Sequence, residues 1–176
     1  MARELAVNGV TVISGLAKGI DAAVHCSALE AGGRTVAVVG TGINQFYPAE
    51  NRRLQERIGH EGLVLSQFWP DAPPNRKNFP LRNAVMSGYA AATVVVEASW
   101  RSGACVQARL ALEHGRPVIL LDRLLEHEWA REFAKKPGVH VVSSMSELLV
   151  VAEDVIEQLN AGPESLPEIL DLAWGG

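Results

Sequence analysis

The chain has 176 residues, 48% of them apolar, which suffices for one packed core and no more than one large domain. Its net charge of −4 argues against a surface uniformly coated in cations, but residues 1–120 carry 12 Lys/Arg against 9 Asp/Glu, while residues 121–176 carry 4 against 11; the first part is therefore net +3 and a local positive crevice stays open to nucleic acid. No apolar run approaches the roughly 18 residues of a membrane span and no basic-then-apolar signal segment opens the chain, so a cytoplasmic protein without a membrane partner is expected.

Residues 1–7 read as the closing turns of a helix that feeds a β-branched run, Val10–Ser14, through Asn8-Gly9. Comparable runs recur at 35–39, 63–65, 93–96, 118–121 and 139–142. None alternates cleanly between polar and apolar, which is the pattern of strands covered on both faces in a parallel sheet. Helical patterns over 20–31, 51–60, 82–91, 103–114, 123–135 and 145–160 separate them. Strand alternating with helix over this many units predicts a doubly wound α/β domain: three layers around a mostly parallel sheet of five or six strands.

The longest irregular stretch, Asp71–Pro80, is expected to be a functional loop rather than a linker, because the same kind of element resumes on each side. One domain is expected over 1–160, followed by a Gly/Pro-containing acidic tail at 161–176. A doubly wound domain normally opens on a strand, so the usual first strand and its loop ahead of Val10 are expected to be missing or supplied by something else.

The loops that end the strands carry the chemistry. In an open parallel sheet the carboxyl ends of the strands form the binding crevice, where helix N-termini present free backbone N–H groups. After Val10–Ser14 comes Ser14-Gly15-Leu16-Ala17-Lys18-Gly19-Ile20-Asp21. Gly15 and Gly19 permit backbone conformations that a Cβ obstructs, so the loop could curl round an oxyanion while Lys18 adds charge; a mere tight turn is the plainer alternative. Asp21 fits a helix-start residue bonded to nearby amides, with catalysis as the other possibility.

Gly40-Thr41-Gly42 allows close backbone approach and offers a hydroxyl to a phosphate or sugar, but it lacks the further glycine of a dinucleotide fingerprint. Tyr47 could stack or simply pack. Asn75–Asn83 places three cations beside Phe79, a pattern suited to phosphates and base faces of single strands; the alternative has Phe79 plugging the core and the cations in water. Asn78, Arg82 and Asn83 belong to the same segment. Arg82 in the first turn of a helix opposes the helix dipole, which makes sense if an anion lies between them.

Glu97 could meet a ribose hydroxyl or base edge, or orient Arg82 through an ion pair. Ser102-Gly103 opens another helix, with Ser102 at least an N-cap. Cys26 and Cys105 sit in predicted helices without metal-ligand spacing, as small apolar side chains would. The five histidines are scattered and no Ser/His/Asp order emerges. No catalytic residue, metal or cofactor is expected, and the chain is read as a binding protein, not an enzyme.

Taken together, Ser14–Asp21, Gly40–Gly42, Tyr47–Asn51, Leu65-Ser66, Asn78–Asn83 with Met86–Gly88, Val95–Ala98 with Ser102-Gly103, and Ala108–Gly115 follow the order and spacing of the bacterial DNA-processing protein A family, also called Smf. The chain resembles that family over about residues 1–118. The resemblance implies an extended Rossmann-like domain that binds single-stranded DNA, forms a homodimer and helps load the RecA recombinase during natural transformation and homologous recombination. It implies a crevice lined by Lys18, Gly40–Gly42, Asn78, Arg82 and Asn83, shaped by Ser14, Gly15 and Ser102-Gly103 and supported by Glu97.

The family's Gly-Ser/Thr-Arg first strand is not found here, and after Gly115-Arg116-Pro117 the chain departs from the family pattern. The related lysine-decarboxylase-like family shares the architecture and hydrolyses nucleoside monophosphates. Its Pro-Gly-Gly-x-Gly-Thr signature is replaced by Glu97–Gly103, which argues against the same catalysis; the alternative to DNA binding is a nucleotide-binding sensor or a nucleoside monophosphate phosphoribohydrolase-like enzyme.

Overall fold

A computed structural model describes residues 1–161 except Arg101. The proposed tail at 161–176 thus lies outside the described residues, apart from Ala161. Helix α1 (Ala2–Val7) turns Ala2, Leu5 and Ala6 inward and leads into β1 (Val12–Ser14). The chain then alternates: α2 (Ile20–Glu30), β2 (Thr35–Val38), α3 (Arg52–Glu61) and β3 (Leu63–Leu65). A second series follows, with α4 (Asn78–Tyr89), β4 (Thr93–Val95), α5 (Gly103–Glu113), β5 (Val118–Leu121), α6 (Glu128–Phe133), β6 (Val139–Val142) and α7 (Met145–Asn160).

The alternation of strand and helix gives an α/β fold with every described strand pairing parallel. The expectation of one sheet of five or six strands needs correction: the ladders form two three-stranded sheets, β1-β2-β3 and β4-β5-β6. Val12 of β1 is opposite Thr35 of β2, and Thr93 of β4 is opposite Val118 of β5, but no ladder joins β1 to β4. The two edges are bridged by side chains instead. Val10 and Val12 share one apolar cluster with Ala92 and Val94, beside buried Leu5, Ile119, Val142 and Leu148. Apolar runs in the sequence fix which segments are strands, whereas the pairing between two of them depends on backbone spacing that composition does not encode.

Each sheet also has its own core. Leu16, Leu29, Ala37, Val39 and Ile58 pack on the first, while Val95, Ala108, Val118, Leu120 and Phe133 pack on the second. Two helix boundaries differ from expectation. Helix α4 begins at Asn78 and so includes Pro80, whose missing N–H falls in the first turn, where no intrahelical acceptor exists. The 123–135 pattern divides into a 3₁₀ turn (Asp122–Glu126) and α6, because His127 between them is extended at φ −89°, ψ 134°.

Candidate functional site

The first wall of the site is the loop from β1 to α2. Its backbone turns sharply at Leu16, the one described non-glycine residue with positive φ, 58°, while the leucine side chain is fully buried in the core beneath. A left-handed leucine is held only when its surroundings over-determine it. Here the carboxamide of Asn51 donates to the Leu16 and Ala17 carbonyls at 2.9 and 3.2 Å. At the other end Asp21 accepts from Ser14 Oγ at 2.8 Å and from the Ala17 amide at 3.1 Å. Gly19 then caps α2.

Arg82 locks this loop to the sheet. It stands in α4 as expected, but is only 7% exposed. Its Nη1 donates to the carbonyls of Gly15 and of Val38 at the end of β2, the latter at 2.8 Å, and its Nε donates to Asn83 Oδ1 at 3.0 Å. A Cβ on Gly15 would fall 2.1 Å from the guanidinium, so glycine is what admits the cation to that carbonyl. Burial pulls the Arg82 pKa below its ordinary value, opposed by nearby Asp21; the group keeps its charge, as arginine does in proteins. The alternative that Glu97 orients Arg82 by an ion pair is not what the geometry shows: carbonyls and Asn83 hold the guanidinium, and Glu97 is exposed.

Asn83 carries the connection to the second sheet. Its Nδ2 donates to the Gly103 carbonyl at 3.4 Å, at the start of α5, where Ser102 Oγ caps the helix by accepting from the Cys105 amide at 3.3 Å. Asn78 opens the same helix as Arg82 and Asn83.

Gly40-Thr41-Gly42 follows just past β2, and all three residues are buried beneath the surface, with the Gly42 amide already donating to the Ala72 carbonyl. Thr41 is buried and its hydroxyl has no partner among the described residues, so it does not stand out into the crevice as a phosphate donor would. The Phe79 ring lies against Gly40, 5.7 Å from the Tyr47 ring and 5.9 Å from the Arg82 guanidinium. Phe79 is therefore half-buried as a wedge, whereas Tyr47 is 48% exposed. Lys18 is exposed and forms an ion pair with Glu50.

Ser14, Gly15, Lys18, Gly19, Asp21, Gly40, Gly42, Tyr47, Asn78, Phe79, Arg82, Asn83, Ser102 and Gly103 are thus linked by direct contacts or by short loops at the carboxyl ends of the strands. Three participants escape a reading by motif chemistry: Leu16, Asn51 and the Val38 carbonyl. Leu16 and Asn51 stand inside the Ser14–Asp21 and Tyr47–Asn51 segments, and Val38 inside the 35–39 run, but no motif assigns any of them a role.

His25, in α2 beneath the loop, is fully buried, with Nδ1 2.6 Å from Thr35 Oγ1. The Thr35 hydroxyl donates to the Val12 carbonyl at 2.9 Å, so the imidazole N–H must be on Nδ1. Burial pushes the His25 pKa down to about 4, against the opposing pull of Asp21 and the Ser14 backbone. Cys105 is buried and its thiol is raised by burial, while Cys26 is half-buried. Among the described residues no cluster of His, Cys, Asp or Glu could hold a metal ion, and no helix is long and apolar enough to cross a membrane.

A family model, DNA recombination-mediator protein A, matches residues 1–160. The DNA processing protein DprA of Streptococcus pneumoniae is 44% identical over 135 residues, covering 73% of this chain and 48% of its own. Protein Smf of Synechocystis is 46% identical over 151 residues, 85% of this chain and 38% of its own. The chain therefore spans about half or less of the length of these relatives. Among solved structures, DNA processing protein A of Helicobacter pylori, described for its single-stranded DNA binding mode, superposes with a TM-score of 0.73 at 27% identity, covering 91% of this chain and 71% of the other.

Proposed function

Because the chain belongs to the DNA recombination-mediator protein A family, we propose that its crevice binds single-stranded DNA through the phosphates, with little sequence preference and no catalytic step. The observation that carries this reading is the convergence of the Ser14–Asp21 loop, the Gly40–Gly42 loop, the α4 N-terminus and the α5 N-terminus on one edge of the fold, cross-tied by Arg82 and Asn83. Backbone N–H groups at loop and helix starts favour anions, and Lys18 adds a solvent-facing cation. Arg82 acts as a positioning residue: it fixes the loops and contributes a fixed positive charge behind them. The Helicobacter relative's described single-stranded DNA binding supports the ligand class.

On the same reading the protein works in recombination by helping to load the RecA recombinase onto the strand it holds, as a homodimer that brings two strand-bound subunits together. The acidic end of the sequence, net −7 over residues 121–176, suits a basic partner.

A nucleotide-binding sensor is the second reading, favoured by one observation. Ser102 caps α5 beside Asn83, leaving a helix start where a single phosphate could sit. Fluorescence anisotropy of a labelled 30-mer, challenged with unlabelled oligonucleotide or with nucleoside monophosphate, separates the two. The proposal expects competition by the oligonucleotide alone. Equal competition by a monophosphate at matched phosphate concentration, or no binding at low salt, contradicts it.

A further inference from the structure

We propose that Trp69 is a base-stacking platform of the crevice, an inference that rests on the single-stranded DNA reading above. Among the described tryptophans its setting is singular. Trp100 lies beneath the Arg109 guanidinium at 5.3 Å, and Trp129 packs edge-on against Phe133 at 6.4 Å. Trp69 has neither a ring nor a cation partner among the described residues and is 87% exposed.

An exposed side chain alone says little; here the backbone that carries it is immobilised against the glycine loop. Trp69-Pro70-Asp71-Ala72 is a turn closed by the Ala72 amide donating to the Trp69 carbonyl at 2.9 Å. The Gly42 amide donates to the Ala72 carbonyl at 2.8 Å and the Asn44 amide to the Pro70 carbonyl at 2.9 Å. Asn44 Nδ2 adds a bond to Asp71 Oδ1 at 2.9 Å. A Cβ on Gly42 would lie 2.2 Å from the Trp69 and Pro70 carbonyl oxygens, so the turn sits directly on the loop. The backbone that bears the indole is thus fixed beyond the carboxyl end of β3, beside the Gly40–Gly42 backbone.

Phe79 cannot take the same role fully, since its ring is wedged among Gly40, Tyr47 and Arg82. With its backbone already fixed, the turn adds no loop-ordering cost when a base lies on the indole, and stacking tolerates every base. The ligand chemistry is an unpaired nucleobase of a single strand.

The test compares the full chain with its Trp69→Ala and Trp69→Phe variants, using anisotropy with a 30-mer and with the same 30-mer made of abasic sites. Trp69→Ala is expected to weaken binding of the normal strand on the order of tenfold, with Trp69→Phe retaining most of the affinity, and wild type and Trp69→Ala binding the abasic strand alike. Unchanged thermal unfolding of both variants is also expected, since the side chain is 87% exposed. Wild-type affinity in Trp69→Ala, or an equal loss on normal and abasic strands, overturns the stacking role while leaving DNA binding in place. Failure of the wild-type protein to bind either strand overturns the single-stranded DNA reading and the inference with it.

Discussion

Two cations in this site do different work, and the difference decides how each variant should behave. Arg82 is buried and donates to two main-chain carbonyls and Asn83; truncation to alanine leaves those acceptors without a partner. Arg82→Ala is expected to destabilise the fold by about 2 kcal/mol or more and to lose binding as a consequence, since hydrogen bonds to a charged group are worth about 1.5–3 kcal/mol each. Denaturant melts check this directly. Lys18 is exposed, and its pair with Glu50 contributes little to stability. Glu50→Gln should therefore leave the melt unchanged and improve oligonucleotide affinity by about threefold at low salt, as one competing anion is removed. An unchanged affinity would show that Glu50 does not compete with the strand for Lys18.

His25 gives the same region a pH response whose sign follows from its burial. Its pKa is about 4 in the folded protein against an ordinary 6.5, so between those values the unfolded chain binds the extra proton. The stability of the neutral, Thr35-bonded ring is present above pH 6.5 and falls away as the pH drops toward 4. The loss attributable to His25 is on the order of 3 kcal/mol. Urea midpoints measured across pH 4–7 should fall with acid in the wild type and fall less in His25→Gln. Parallel curves would assign the acid sensitivity to other groups.

At the scale of elements, the proposed binding edge consists of loops held by other loops. Gly42 is the sharpest example, because the Trp69–Ala72 turn occupies the space a side chain would need. Gly42→Ala is expected to displace that turn and cost on the order of 2 kcal/mol, a steric change in the range of overpacked sites; a melt within about 0.5 kcal/mol of wild type would mean that the turn yields freely. The elements themselves were largely legible in the sequence, since β-branched runs and helical spacing are local signals. Strands at 63–65, 118–121 and 139–142 match their expected bounds, and α7 does as well. Pro80 misled because a proline is read as a break, although the first turn of a helix tolerates it. The candidate site residues stand out in the sequence as glycine, cation and amide types at strand ends. Their partners do not: whether Arg82 faces solvent or two carbonyls depends on where β2 ends relative to α4, a tertiary fact that no spacing carries.

Over the whole molecule, two parallel three-stranded sheets share an apolar cluster between β1 and β4 without a joining ladder. The proposed binding edge spans that division, because Arg82 binds Gly15 and Val38 on the first sheet's side while Asn83 reaches Gly103 on the second's. Binding should therefore stiffen one half of the chain against the other, and hydrogen exchange should slow together at the β1–α2 loop and at the start of α5 when oligonucleotide is added. The central claim is that phosphates, held by this shared edge, supply most of the affinity. The salt dependence of oligonucleotide binding tests it most directly. For single strands, log affinity falls with log salt by about 0.7 per neutralised phosphate. We predict a slope steeper than about −2 for the wild type, corresponding to three or more contacts, reduced by about 0.7 in Lys18→Ala. A slope near zero, or an identical slope in Lys18→Ala, would contradict the account.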